Sequence, residues 1–527
     1  MKKRNTTIIA LGAVLFSLLS CNIDERLNDS ISEKDPKAET LSTASQSLAY
    51  TYTLLEGPGS PWSIWTLNED SSDEEAKPTR GSDWYDGGKW QQMHLHTWTS
   101  SNPQVVNSYN DINKGIAYAT QVLGFSNATK QEKAEATFLQ TYFLWLLTDH
   151  FGQTILREPK EVSSVPSIYW TRSEAIDKEI TMLEAVINDL PAYSPSSAFK
   201  ASKNAGYALL AKLYLNKAVY KATDADGKPQ VVTPAMFQSA DMDKVIEYTD
   251  KAMAGTSFTN IAGNNAGQNY FQNFAPDNGE KSTEIIFSKQ NTNSIGSAMF
   301  QFSFMTTHYK QIPDGYNGPV TTTDLYNKFI SKDPNDPRLS TSLSYLTTNS
   351  GIKAGLLLGQ QYDYNGVALK TRTGAPLIFT TDFDLSSSNE AQGIRVIKYL
   401  PDFSAVGKVN SNANNDFIFL SLSDCLLMKA EAYARKGNFT TANTLVGNLR
   451  TARGAASITV SSLQDILDER ARELYWQGHR RTDQIRFGTF LQPCQGRSTT
   501  SDRHVMVFPI PVAALTAAPT MHQNPGY

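Results

Sequence analysis

"DERARELYWQGHRRTDQIRFGTF", Asp468 to Phe490, is the stretch whose reading decides the fold. Glu469 and Glu473 fall four apart and therefore on one helix face, with Arg470 and Arg472 beside them. Carboxylates and guanidinium groups at this spacing make surface or interhelical ion pairs and are read as structural, not catalytic. Arg480, Arg481 and Arg486, near Asp483, are expected to fix the chain's exit from the helix through bonds to carbonyls and carboxylates. The helix itself is predicted over Ser461 to Gly478, opened by the box Ser461-Ser-Leu-Gln464.

Working outward, Leu422 to Lys436 is amphipathic and stops before Gly437, and Thr440 to Arg453 follows. In the first half, Glu39 to Leu55 reads as a helix. Thr129-Lys-Gln-Glu132 forms a capping box ahead of Ala134, Phe138, Leu139, Tyr142, Phe143, Leu146 and Phe151 at helical spacing. Further helices are predicted at Arg172 to Leu190, Ala201 to Tyr220 and Ser239 to Ala254. Paired amphipathic helices in series look like tetratricopeptide units, but the spacing is not a clean repeat and the Trp-Leu-Gly signature is missing. The expected fold is mainly α, a degenerate tetratricopeptide-like scaffold with long irregular loops and a few short β-strands such as Glu284 to Phe287 and Arg395 to Tyr399. Residues 39–527 are assigned to one domain, with the scaffold over 39–255 and 420–490 and long loop regions over 57–101 and 260–416, which the family resemblance given below implies are ligand-facing. The first loop is longer than a passive connection usually runs, which makes it the first place to look for function.

At the N-terminus, Lys2, Lys3 and Arg4 precede an apolar stretch from Ile8 to Leu19 that is short of the ~20 residues a membrane span needs. Residues 1–20 read as a signal peptide. Leu18-Leu19-Ser20-Cys21 resembles the bacterial lipobox, so Cys21 is expected to become an acylated first residue and 21–38 a tether. Buried acyl methylenes contribute about 0.8 kcal/mol each, so several chains on one cysteine would anchor the protein firmly. Cys425 and Cys494 are too few for a disulfide framework, and a net charge of −4 favours neither nucleic acid nor an anionic membrane as partner.

No zinc-protease, nucleophile-elbow, Walker or dinucleotide motif is present in the sequence. The cluster Glu69-Asp-Ser-Ser-Asp-Glu-Glu75 could supply a glycosidase's two carboxylates, but reads better as a loop that is solvated, or that binds sugar hydroxyls or calcium. His94 and His96 could share a strand face and hold a metal; lacking a third ligand, they are read as packing or hydrogen-bonding around Trp98. Asn68 to Trp90 combines aromatics with acids and glycines, the mixture that stacks on sugar rings and bonds their hydroxyls.

The motif Asp468 to Phe490 resembles the C-terminal signature of the SusD/RagB family of outer-membrane glycan-binding lipoproteins. Glu469, Arg470, Glu473, Leu474, Gly478, Arg480, Asp483, Arg486 and Gly488 match it, and Gln477 stands where the family usually has glutamate. The stretches Ala134 to Gly152, Ala201 to Tyr220, Leu420 to Asn438 and the terminal Gln523 to Tyr527 agree independently. The resemblance implies a non-enzymatic protein, lipid-anchored through Cys21 at the cell surface. It implies capture of an oligo- or polysaccharide and its delivery, as a lid, to a SusC-like TonB-dependent transporter. Peptide or glycopeptide capture, as in the RagB branch, is the alternative. No cofactor is implied, and calcium stays open. Trp84 is the expected stacking platform; Tyr85, Trp90, Arg80, Asp83 and Asp70 accompany it, and Tyr309, Tyr316 and Tyr399 come from the second loop region.

Overall fold

A computed structural model describes residues 40–161, 165–292, 302–405 and 413–527. The signal-peptide and tether assignments, Cys21 included, lie outside these residues. Ten helices form the scaffold: α1 Ala44–Thr53, α2 Pro103–Leu123, α3 Lys130–Phe151, α4 Arg172–Val186, α5 Lys203–Lys221, α6 Ser239–Met253, α7 Leu422–Arg435, α8 Phe439–Arg453, α9 Leu463–Leu474 and α10 Arg480–Phe487. From α1 to α8 each packs on the next, so α6 meets α7 directly although the chain between them leaves to build residues 254–421. The mainly helical, solenoid-like prediction is what the structure has, and the second loop region is an insertion into it.

Local chemistry explains the helix starts. The Thr129 hydroxyl accepts from the Glu132 amide while Glu132 reaches back to the Thr129 amide, and Thr171 with Glu174 repeats the device on α4. α2 was not expected from the sequence. Asn102 caps it and Pro103 occupies its first position, where the missing N–H costs nothing. α9 is shorter than expected: its box is Ser462 with Asp465, and Tyr475 leaves the helix before Trp476 and Gly478 turn left-handed.

The charged motif is buried rather than superficial. Glu469 accepts from Arg450 at 2.8 Å and faces Arg338 at 2.9 Å and Arg472 at 2.8 Å. Glu473 takes Arg453 at 2.7 Å, which also holds Glu284 at 2.8 Å. On the other side Arg470 bridges Asp424 at 2.8 Å and Asp483 at 2.7 Å. Arg480 reaches Asp73 at 2.6 Å, Arg481 reaches Asp149 at 3.0 Å, and Arg486 reaches Glu431 at 2.8 Å. The motif therefore joins α3, α7, α8, the first loop and the insertion. The C-terminal Gln523 to Tyr527 closes the same core: Asn524 donates to Phe151 O at 2.8 Å, and Trp98 to the Tyr527 hydroxyl at 2.7 Å.

The two loop regions are more ordered than expected. Residues 57–101 include helices at Ile64–Glu69 and Lys89–Leu95, and most of 61–80 is buried. The acidic cluster is inside the protein, not solvated: Glu69, Asp70, Asp73, Glu74 and Glu75 are all buried with Lys77, Lys328 and Arg480 among them. Strand Glu75–Ala76 pairs antiparallel with Val320–Thr321, tying the first loop to the insertion.

Candidate glycan-binding platform

Three segments meet at one surface: residues 80–90, 304–318 and 372–395. Arg80 and Asp83 exchange backbone bonds at 2.9 and 3.1 Å around Gly81, and Trp84, Asp86, Gly87 and Gly88 all have positive φ. For a bulky residue this conformation is strained, so it persists only where contacts hold it. At Trp84 they do. Its indole N–H donates to Tyr316 O at 2.8 Å, its ring lies parallel to Trp62 at 6.4 Å, and Trp90 stands 5.8 Å away. Gly318 lies against the indole so closely that a Cβ there would collide with the ring.

This geometry redistributes the expected site. Trp84, only 9% exposed, is the foundation of the surface, with little face left to stack on a ligand. Trp90 is fully buried and donates to Asp86 at 2.7 Å. Asp70 is buried against Lys77. Tyr399 lies in the core among Phe274, Phe302 and Phe417, its hydroxyl accepting from the Ile418 amide at 3.1 Å. Asp70, Trp90 and Tyr399 are corrected to structural positions because no ligand can reach their faces. Arg80 is also inside, donating to Gln392 O at 2.9 Å and to Asn389 O, and burial pushes its pKa down to about 10.

What remains at the surface is a set of rings and polar groups. Tyr85 is 58% and Tyr316 38% exposed. Tyr309 donates to Asp83 at 2.9 Å, and the Arg372 guanidinium lies 4.1 Å from the Tyr309 ring centre. Sequence reasoning missed Arg372 and its partner Glu390. Glu390 accepts from the Arg372 amide at 2.7 Å and from its Nε at 2.9 Å, and lies 3.3 Å from His308 Nε2. Burial pushes Glu390 up, but the Arg372 bonds outweigh it and hold the carboxyl below its usual value. Burial drives the His308 pKa down to about 4, so its ring is neutral near pH 7. Fixed aromatic faces rimmed by a guanidinium and carboxylates can stack on pyranose rings and bond their hydroxyls.

His94 and His96 do not share a strand face. They lie on and just beyond Lys89–Leu95, and each ring nitrogen has a hydrogen-bonding neighbour: Glu75 O at 3.0 Å and Gln495 O at 2.7 Å for His94, Ser501 Oγ at 2.8 Å and Ser71 O at 2.7 Å for His96. No group of three or more His, Cys, Asp or Glu side chains among the described residues is placed to hold a metal. No described helix is long and apolar enough to cross a membrane.

The architecture is a helical solenoid whose loops carry this candidate platform. Residues 253–527 match the model of the SusD family, and residues 33–215 match one described as starch-binding associating with outer membrane. The chain belongs to the SusD family, whose members are binding proteins and not enzymes. It is 24% identical over 492 residues to the starch-binding protein SusD of Bacteroides thetaiotaomicron, covering 84% of this chain and 82% of that one. Its fold is that of a laminarin-binding SusD-like protein, at 20% identity, 92% and 99% coverage and a TM-score of 0.68. A surface glycan-binding protein A from Bacteroides thetaiotaomicron, solved with laminarihexaose, has 16% identity and a TM-score of 0.66.

Proposed function

We propose that the protein is a cell-surface lipoprotein that captures an oligo- or polysaccharide on the platform of Tyr85, Tyr316, Tyr309 and Arg372. The observation that carries the reading is the pair of exposed tyrosines held over a buried base of indoles. Trp84, Asp83 and Arg80 position this surface, and Glu390 fixes the guanidinium. The names of the starch-binding and laminarin-binding relatives support a carbohydrate ligand. Capture passes the glycan, uncleaved, to a SusC-like TonB-dependent transporter in the outer membrane, over which the protein acts as a lid anchored through lipidated Cys21.

The test is affinity electrophoresis of the full chain in detergent against a polysaccharide panel, beside Tyr85→Ala/Tyr316→Ala. Retardation by at least one glycan, weakened in the variant, is expected. Retardation by none, with binding to oligopeptides instead, would replace this reading with RagB-like peptide capture. Copurification with a TonB-dependent transporter, and loss of labelled palmitate in Cys21→Ala, check the partner and the anchor.

A further inference from the structure

A cleft lined mainly by the insertion shares no residue with the platform. It has a volume of about 880 Å³, within the range of small-molecule sites. Gln268 and Gln272, from the helix Ala266–Gln272, form one wall, and Tyr345, from Ser344–Ser350, stands at another. Tyr345 is 39% exposed, yet its far end is fixed: the hydroxyl donates to Pro401 O at 2.8 Å, and its ring lies 5.2 Å from Phe403. The Gln272 amide is likewise oriented, donating to Asp277 at 2.7 Å. Asn291, also on the wall, is buried. Its amide nitrogen donates to Asn415 O at 2.8 Å, while its side-chain oxygen, an acceptor, has no partner. An orphaned buried acceptor costs stability unless a donor arrives.

Charge narrows the occupant. Asp277, Glu280, Asp402 and Asp416 line the cleft against Lys281 alone, so uronates, sulfates and phosphates are repelled. Three of the four carboxylates offer little to a cation either. Asp277 is paired with Lys281, Asp402 accepts from the Asn414 amide at 3.0 Å, and Asp416 accepts from the Asn291 amide at 2.9 Å and from Ser288 at 3.2 Å. What is left is a wall of oriented amides backed by a buried, unpartnered acceptor, and an exposed ring. Hydroxyl groups supply donors without charge, and a pyranose supplies a flat C–H face for the tyrosine.

We infer that this cleft is a second saccharide site, selective for neutral, hydroxyl-rich chains and independent of the platform. Calorimetry on the full chain in detergent tests it with laminarihexaose, maltoheptaose, cellohexaose and mannohexaose; trigalacturonate and tetralysine serve as charged probes. Tyr85→Ala/Tyr316→Ala is expected to retain one equivalent of binding for a neutral probe. Adding Tyr345→Ala and Gln272→Ala is expected to weaken that residual binding at least tenfold, with the melting temperature checked alongside. Tyr345→Ala/Gln272→Ala alone should leave the platform's own binding intact. The inference is overturned if the platform variant binds no neutral probe, if its residual binding ignores the cleft substitutions, or if only a charged probe occupies the cleft. Failure of the platform reading looks different: Tyr85→Ala/Tyr316→Ala would leave all binding unchanged.

Discussion

Trp84→Ala and Tyr85→Ala neighbour each other in sequence and should fail in opposite ways. Removing the Trp84 ring empties a packed site between Trp62, Trp90 and Met305, and a large-to-small change of this kind costs about 3–5 kcal/mol. Loss of the 2.8 Å bond to Tyr316 O adds about 1 kcal/mol, and alanine gains nothing at a φ of 64°. Tyr85 is mostly in solvent, so Tyr85→Ala should stay within about 0.5 kcal/mol of the natural protein. Its cost appears in binding: a lost stacking ring is worth about 0.5–1.5 kcal/mol, up to roughly tenfold in Kd. Urea denaturation beside calorimetry separates the two readouts. The reasoning is refuted if Trp84→Ala denatures like the natural protein while abolishing glycan binding, because the indole would then be the stacking face itself.

Arg372→Ala, at a side chain 52% exposed, should leave the urea midpoint unchanged and weaken glycan binding severalfold by removing donors above Tyr309; unaltered affinity would remove Arg372 from the platform. Arg453→Met takes the guanidinium from Glu284 in the core and leaves Glu473 with Arg338, and should destabilise by about 3–5 kcal/mol, read as a lower urea midpoint; a shift under about 1 kcal/mol would mean that water replaces the guanidinium. Glu179 accepts from Thr148 at 2.5 Å, and burial pushes its carboxyl up to about 8. Its stabilising neutral form is fully present below the unfolded carboxyl's range and is lost as pH rises towards 8, with a slope of up to about 1.4 kcal/mol per pH unit. Glu179→Gln should therefore gain on the natural protein between pH 5 and pH 8; parallel denaturation midpoints over that interval would show Glu179 ionised in the fold.

Local signals were legible where the physics is local. Thr129 with Glu132 announces α3 because a capping box needs only four residues, and the apolar run behind it marks a buried helix before its partners are known. α2 was equally open to such reading, since Asn102-Pro103 is a cap followed by a first-turn proline. The acidic run at Glu69 to Glu75 shows the opposite case. In sequence it looks solvated, and it is buried because Arg480, Lys328 and Lys77 pair with part of it, two of them hundreds of residues away, while burial pushes Glu69, Glu74 and Glu75 up towards their neutral forms. Trp84 likewise reads as a displayed aromatic until Gly318 and Tyr316 come from the insertion to cover it. Arg372 and Glu390 were missed because nothing near either residue marks it; the site exists only where three remote segments meet.

The segment that decides the fold also explains why such a platform can bind. Arg480 grips Asp73 in the first loop region, and Arg338 reaches Glu469 and Glu473 from the insertion. Lys398, also in the insertion, donates to Glu473 O and Tyr475 O at 2.8 Å each. Both loop regions are thus tied to one short stretch after α8, and to each other through Glu75 with Thr321 and Arg80 with Gln392. Buried ion pairs contribute little net stability, because desolvation offsets most of the attraction. Their return is geometric: Tyr85 and Tyr316 come from segments more than two hundred residues apart, and these ties bring their backbones to one surface. A backbone already in place loses no freedom on binding, and sparing that entropy would favour the proposed capture of a flexible sugar chain.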